Sequence, residues 1–339
     1  MKKIFASFLL AFFVLGCAQQ QGNSKPVLTV YTYDSMVSEY GLGPKIVPQF
    51  EQKCGCTVNM VSKGDAGQLL FALVLEKDRP KADLVIGLDN TLYAKAVNSG
   101  VLEKFAPKNI SLVPQNLRLD SEGYLTSFDY GYIAFVYDRE KISQKIDGFG
   151  SLLSPELSKK IVIENPNTSS PGMALLLWSV KLFGDPGYKD FWKKLKPNIL
   201  TVTTGWDQAA GLFSAGEAPI YLSYATSPAY YAGEENKQNF VGAKFREGHY
   251  IQIEGMGIVS GTKNRALAGQ FIEFSLEPQF QQEIPLTQYM FPVNANVKLP
   301  ESFGFAVKPD KSLELDRKIV EEKQEEWLLE WEKIMSNGP

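Results

Sequence analysis

From Val27 onward the chain alternates short apolar runs with amphipathic ones in strand–helix order. That order confines it to an α/β fold built on mainly parallel sheet. Residues 27–33, rich in β-branched and aromatic side chains, read as a strand. Residues 45–52 read as part of a helix and 58–61 as a second strand. Gly64-Asp65 opens a helix whose Leu69, Leu70, Leu73 and Val74 share one face. Residues 83–88 form a third strand, apolar without alternation, as suits a strand buried on both faces. A helix over 91–98 then stops at Gly100. A second series follows, with strands over 161–163, 199–202 and 220–223 and helices over 173–182, 207–213 and from 227 onward. Two long extended segments, 128–137 and 249–258, flank it, and helices over 265–274 and 315–335 close the chain. A complete α/β unit between two extended segments predicts two lobes joined by two crossovers. Residues 26–130 and 253–339 are expected in a discontinuous first lobe and 131–252 in the second. Open sheets of this kind bind ligands beyond the carboxyl ends of their strands. Those ends are Tyr33-Asp34-Ser35, Lys63-Gly64-Asp65-Ala66 and Asp89-Asn90.

The N-terminus carries its own signal. Lys2 and Lys3 precede an uncharged, mostly apolar run over 4–16, too short for a spanning helix and suited to a signal-peptide core. The run ends in Val14-Leu15-Gly16-Cys17, which resembles a bacterial lipobox. The resemblance implies that 1–16 is a lipoprotein signal peptide, that the Cys17 thiol is acylated, and that the exported chain is anchored to a lipid bilayer. The small polar residues over 17–25 then form a tether. With 35 basic and 38 acidic residues there is no basic excess, so no nucleic-acid partner is expected. One histidine, His249, excludes a His-rich metal site, and three cysteines exclude a four-cysteine zinc site. No metal or cofactor is therefore expected. Cys54 and Cys56, in Cys-Gly-Cys, either close a small disulfide ring, with Gly55 permitting the bend, or remain free thiols.

Several runs, in order along the chain, resemble the periplasmic thiamine-binding proteins of ABC importers. They are Leu28-Thr-Val-Tyr-Thr-Tyr-Asp-Ser35, Gly87-Leu-Asp-Asn90, Phe128-Asp-Tyr-Gly-Tyr132, Ser170-Pro-Gly172, Leu175-Leu-Leu-Trp178, Thr226-Ser-Pro-Ala-Tyr230 and Glu247-Gly-His-Tyr250. The resemblance covers essentially the whole mature chain. It implies a bilobed, periplasmic-binding-protein-like fold of type II, with thiamine, thiamine monophosphate or thiamine diphosphate clamped between α/β lobes. It also implies delivery by a monomer to ABC permease and ATPase subunits, without catalysis. Asp65 and Ala66 in the first lobe match positions that contact ligand in the family, as do Ser169, Ser170, Trp206, Tyr224, Ala225, Thr226 and Ser227 in the second. The family tends to have tryptophan where this chain has Tyr40 and Tyr289.

Thiamine has a cationic thiazolium and a flat aminopyrimidine. Aromatic faces hold such a cation at about 0.5–2 kcal/mol each, helped by a carboxylate. Tyr31, Tyr33, Tyr224, Tyr230 and Tyr289, with Asp34 and Asp65, fall at the predicted cleft edges. Core packing is the other reading of the tyrosines. Asn167-Thr-Ser-Ser-Pro-Gly172 and Tyr224-Ala-Thr-Ser-Pro228 share one form, hydroxyl residues and a proline at a helix start. Such starts serve as an anion site or as simple caps. Trp206, at a strand-to-helix turn, either covers a ligand or packs between lobes. Two other functions fit the same architecture. A thiaminase-like enzyme would need a cleft cysteine with a base beside it. A ferric-iron carrier would use the adjacent Tyr230 and Tyr231, with carboxylate or imidazole ligands.

Overall fold

A computed structural model describes residues 25–336. The signal-peptide run and Cys17 lie outside the described residues. The strands run in the order Thr57–Ser62, Val27–Thr32, Leu84–Asp89, His249–Val259, Thr126–Asp138, Ile220–Tyr224, Ile161–Glu164 and Ile199–Thr203. The first three are parallel to one another, as are the last three. The two long strands between them are antiparallel to each other and to their outer neighbours. Thr126–Asp138 belongs to both halves. Its residues from Thr126 to Tyr132 pair with His249–Val259, and Ile133 to Tyr137 pair with Ile220–Tyr224. The observed architecture is thus mixed α/β, with the two expected long segments at its centre.

Alternation along the first strand splits the first sheet's packing into two layers. Leu28 and Val30 face Leu42, Ile46 and Phe50 of the helix Leu42–Cys54, together with Phe271 and Phe274. Tyr31 faces the other way, towards Leu69, Leu70 and Leu73 of the helix Ala66–Leu75. That second helix begins where expected because Asp65 caps it, accepting from the Ala66 amide at 2.6 Å while Gln68 Oε1 accepts from the Asp65 amide at 3.0 Å. Helix Leu42–Cys54 ends at Gly55, in the left-handed region at φ +64°.

The second half of the molecule packs around the buried helix Ser170–Phe183. Trp178 there meets Phe149 edge-on at 4.7 Å. Two features depart from expectation. The helix Gly187–Leu195, with Tyr188, Phe191, Trp192 and Leu195 on its buried face, is additional to those read from the sequence. Chain order places the last helix, Arg317–Ser336, in the first lobe, but its Val320, Trp327, Leu328 and Trp331 join the second lobe's core. Trp331 lies edge-on to Trp192 at 5.8 Å. Assignment by chain order fails here because a helix of 20 residues is about 30 Å long, enough to cross from one lobe to the other. It also touches the first lobe, where Gln324 Nε2 donates to the Thr91 carbonyl at 2.8 Å.

The helix therefore acts as an external strap whose anchor is aromatic. Trp331→Ala is expected to destabilise the protein by about 3–5 kcal/mol, the usual cost of emptying a buried tryptophan site. Denaturant unfolding measures it, and a loss below about 1 kcal/mol would show that the strap contributes little.

Candidate functional site

Where the two halves meet, residues from both line a cavity of about 500 Å³. That volume falls within the rough 300–1,000 Å³ range of small-molecule sites. Tyr33 enters it just after the first strand. Its hydroxyl donates to Glu254 Oε2 at 3.0 Å and accepts from Gln288 Nε2 at 2.6 Å. The ring turns its Cδ1–Cε1 edge to Gly87, whose φ is +107° and where a Cβ would come within 2.2 Å of a ring carbon. Only glycine satisfies both conditions.

Asp65 bridges the halves. Oδ1 caps its own helix, and Oδ2 accepts from the Trp206 amide of the opposite half at 3.0 Å. The Gly67 amide donates to the Thr168 carbonyl at 3.0 Å beside it. Burial raises the Asp65 pKa, and the hydrogen bonds from the amides of Trp206 and Ala66 oppose that rise. On the far wall the Trp206 indole donates to Ser223 Oγ at 2.8 Å, and its ring lies 6.3 Å from that of Tyr224. The buried Thr226 hydroxyl lines the cavity without a protein partner. Tyr289 is held at φ +52° and donates to Glu234 of the other half. Its ring stacks on Phe303 at 6.2 Å and meets Tyr230 edge-on at 5.3 Å.

Of the sequence-predicted site residues, Tyr33, Asp34, Asp65, Ala66, Ser170, Trp206, Tyr224, Thr226, Ser227, Tyr230 and Tyr289 come together on this wall. Ser169 and Ala225 do not line it. Ala225 is fully buried, its carbonyl accepting from the Val307 amide at 2.7 Å. Tyr31 points away, its hydroxyl bonded to Glu76 at 2.9 Å. Asp34 is solvent-exposed and accepts from Ser62. At the start of helix Ser170–Phe183, read as an anion site, Ser170 lines the cavity, and the buried Ser169 and Ser170 hydroxyls have no protein partner. The Ser227 hydroxyl is already engaged with Ser223 at 2.7 Å. Cys54 and Cys56 form a disulfide away from the wall. Tyr231 reaches the cavity, but its hydroxyl is tied to Tyr221 at 3.0 Å. His249 is buried, donating from Nδ1 to the Ile133 carbonyl and accepting at Nε2 from the Phe245 amide. Among the described residues no group of three or more His, Cys, Asp or Glu is placed to hold a metal ion.

Sequence reasoning missed Gln252, Glu254, Gln288 and Asp207, all on the wall. Burial, with Asp34 and Asp65 nearby, lifts the Asp207 carboxyl to about 6. Gln252 and Glu254 lie on the second crossover, and the one available signal was the polar positions at every second residue of Gln252-Ile-Glu254.

Two lobes, a central pair of crossover strands and an inter-lobe cavity define a solute-binding protein. Residues 79–309 match the model of the bacterial extracellular solute-binding protein family, and the chain belongs to that family. It is 40% identical over 314 residues to the thiamine-binding periplasmic protein of Escherichia coli K12, covering 92% of this chain and 94% of that one. It is 41% identical over 326 residues to the thiamine-binding periplasmic protein of Brucella melitensis, covering 94% and 95%. A solved periplasmic thiamin binding protein superposes with a TM-score of 0.85 at 39% identity, over 92% of this chain and 97% of that chain.

The Tyr33–Gly87 contact yields a controlled test. Gly87→Ala combines left-handed strain with a clash, whereas Gly55→Ala, at φ +64° with no atom within 4 Å, carries strain alone. Strain alone is expected to cost about 1–2 kcal/mol. Denaturation midpoints should show a larger loss for Gly87→Ala, and equal losses would mean the Tyr33 ring yields freely.

Proposed function

We propose that this chain is the substrate-binding component of an ABC importer and captures thiamine in the inter-lobe cavity. One observation carries the reading. The wall bears the aromatic residues Tyr33, Tyr40, Trp206, Tyr224, Tyr230 and Tyr289 and the acids Asp34, Asp65, Asp207 and Glu254, with no Lys, Arg or His among its lining residues. Such a wall suits a flat cation that has no proton to donate. The curated relatives named as thiamine-binding agree with it. Thiamine monophosphate and diphosphate are proposed as further ligands. Without a cation on the wall, their phosphate would rely on the amides opening the helix Ser227–Glu234 and on the unpartnered Ser170 and Thr226 hydroxyls.

The chain is read as a carrier rather than an enzyme, since the Cys54–Cys56 disulfide leaves no thiol at the cavity among the described residues. The anchor at Cys17, the monomeric state, and the grouping of 26–130 with the segment after the second crossover against 131–252 are proposed on the sequence reasoning above. The last helix is reassigned to the second lobe. Closure of these lobes on ligand is the expected motion.

Calorimetry of the mature chain with thiamine and its two phosphates tests the function, and absence of any heat with all three would overturn it. Ferric citrate should give no tyrosinate–iron colour. Tyr230, which is 38% exposed, lines the cavity. Tyr230→Ala should weaken thiamine by about 1–2 kcal/mol, roughly tenfold, and Tyr230→Phe much less. Equal losses would assign the contact to the hydroxyl.

A further inference from the structure

The two crossover strands carry a feature that thiamine capture alone does not require. Glu254 is the register partner of Asp89 on one side and of Asp129 on the other, so three carboxyl residues stand in a row across three adjacent strands. All three are buried, and Glu254 lines the cavity. Asp89 Oδ1 accepts from the Thr91 hydroxyl and from the amides of Thr91 and Leu92, while its Oδ2 has no partner. Glu254 accepts from Tyr33 at 3.0 Å and from Gln252 Nε2 at 3.1 Å. Neither carboxyl oxygen of Asp129 has a partner. The titratable groups facing Glu254 are Tyr33, Tyr224, Asp65, Asp89 and Asp129, all acids, and no base lines the cavity.

Three desolvated carboxylates in a row with no counter-cation cannot all stay charged, and Glu254, between the other two, meets a like charge from either side. We propose that Glu254 and Asp129 are both protonated in the unliganded protein at neutral pH, and that a cationic ligand discharges the Glu254 proton on binding. The proton passes to the buffer, the electron pair remains on the Glu254 carboxylate, and that charge balances the thiazolium. Asp129, without a donor of its own, keeps its proton. Burial holds both acids up, Glu254 to about 8 and Asp129 well above the usual range, in keeping with this order. The site would then recognise a ligand by its permanent positive charge, and binding would be linked to a proton. The inference rests on the thiamine reading and adds the origin of its charge selectivity.

Because binding releases a proton, the dissociation constant should fall as pH rises, by up to tenfold per unit for a full proton, and level off above about pH 8, where Glu254 is already ionised. Calorimetry of thiamine binding at pH 7, in phosphate and in Tris, measures the proton directly, because the buffers differ in protonation enthalpy. The expected release approaches one proton. Glu254→Gln should abolish it, flatten the pH dependence and weaken thiamine tenfold or more. On the unaltered protein, a thiamine analogue with a neutral ring in place of the thiazolium should bind without release, which keeps the test independent of whether the variant folds. Thiamine binding with no buffer-dependent heat would overturn the coupling and leave the thiamine reading standing. Undiminished release in Glu254→Gln, or release with the neutral analogue, would overturn it equally. No binding of thiamine at all would remove both proposals together.

Discussion

The pairing of the two crossover strands is the constraint on which the rest of the molecule depends. Residues of Thr126–Asp138 and His249–Val259 hydrogen-bond side by side at the centre, and the first of these strands continues into the second sheet. A strand shared in this way fixes the axis about which the two halves can move. It also makes the cavity floor the most central backbone in the protein. Every residue of His249–Val259 is buried, so any polar side chain there meets either the cavity or another polar group. Gln252 and Glu254 do both, facing the cavity and bonding to each other.

The walls close on contacts that demand small residues. A Cβ at Gly67 would stand 2.4 Å from the Asn167 carbonyl oxygen of the opposite half, and one at Gly205 would stand 3.2 Å from the Asp65 carboxyl. The halves therefore meet at backbone distance, where amide-to-carbonyl and amide-to-carboxylate bonds replace side-chain packing. Asp65 occupies two helix starts at once, its own and that of Trp206–Ser214. Both favour a negative charge. This accounts for a buried carboxyl on the wall without a basic partner.

Most of the scaffold was legible because its signals are redundant. Leu84–Asp89 is apolar up to its final aspartate, and its burial is complete on both faces. Asp65 with Gln68 is a capping box in sequence and in structure. The misses share one cause, the use of a local rule where a tertiary contact decides. Alternation in Gln252-Ile-Glu254 reads as polar outward, but outward here is a cavity. Tyr31 and Tyr33 sit two apart and so read as neighbours on one face. The strand ends at Thr32, and Tyr33 takes up φ −98°, ψ 168° at the cap of the next short helix, which sends the two rings to different sides of the sheet. The amphipathic pattern of Arg317–Ser336 is plain, but no local pattern says which lobe receives Trp327 and Trp331.

The acidic row also explains how one site can be both selective and foldable. Ionised carboxylates in a dry interior would cost the fold several kcal/mol each. A protonated acid costs far less, because it is a neutral donor and acceptor. Folding therefore proceeds with the acids neutral, and the expensive charge on Glu254 appears only when a cation is present to offset it. A neutral molecule of the same shape would fill the same aromatic walls but would leave the acids protonated, gaining none of the pairing energy. Discrimination by charge thus needs no clash and no repulsive residue. It follows from placing an uncompensated acid where only the right ligand completes it, at the point where the two halves share their backbone.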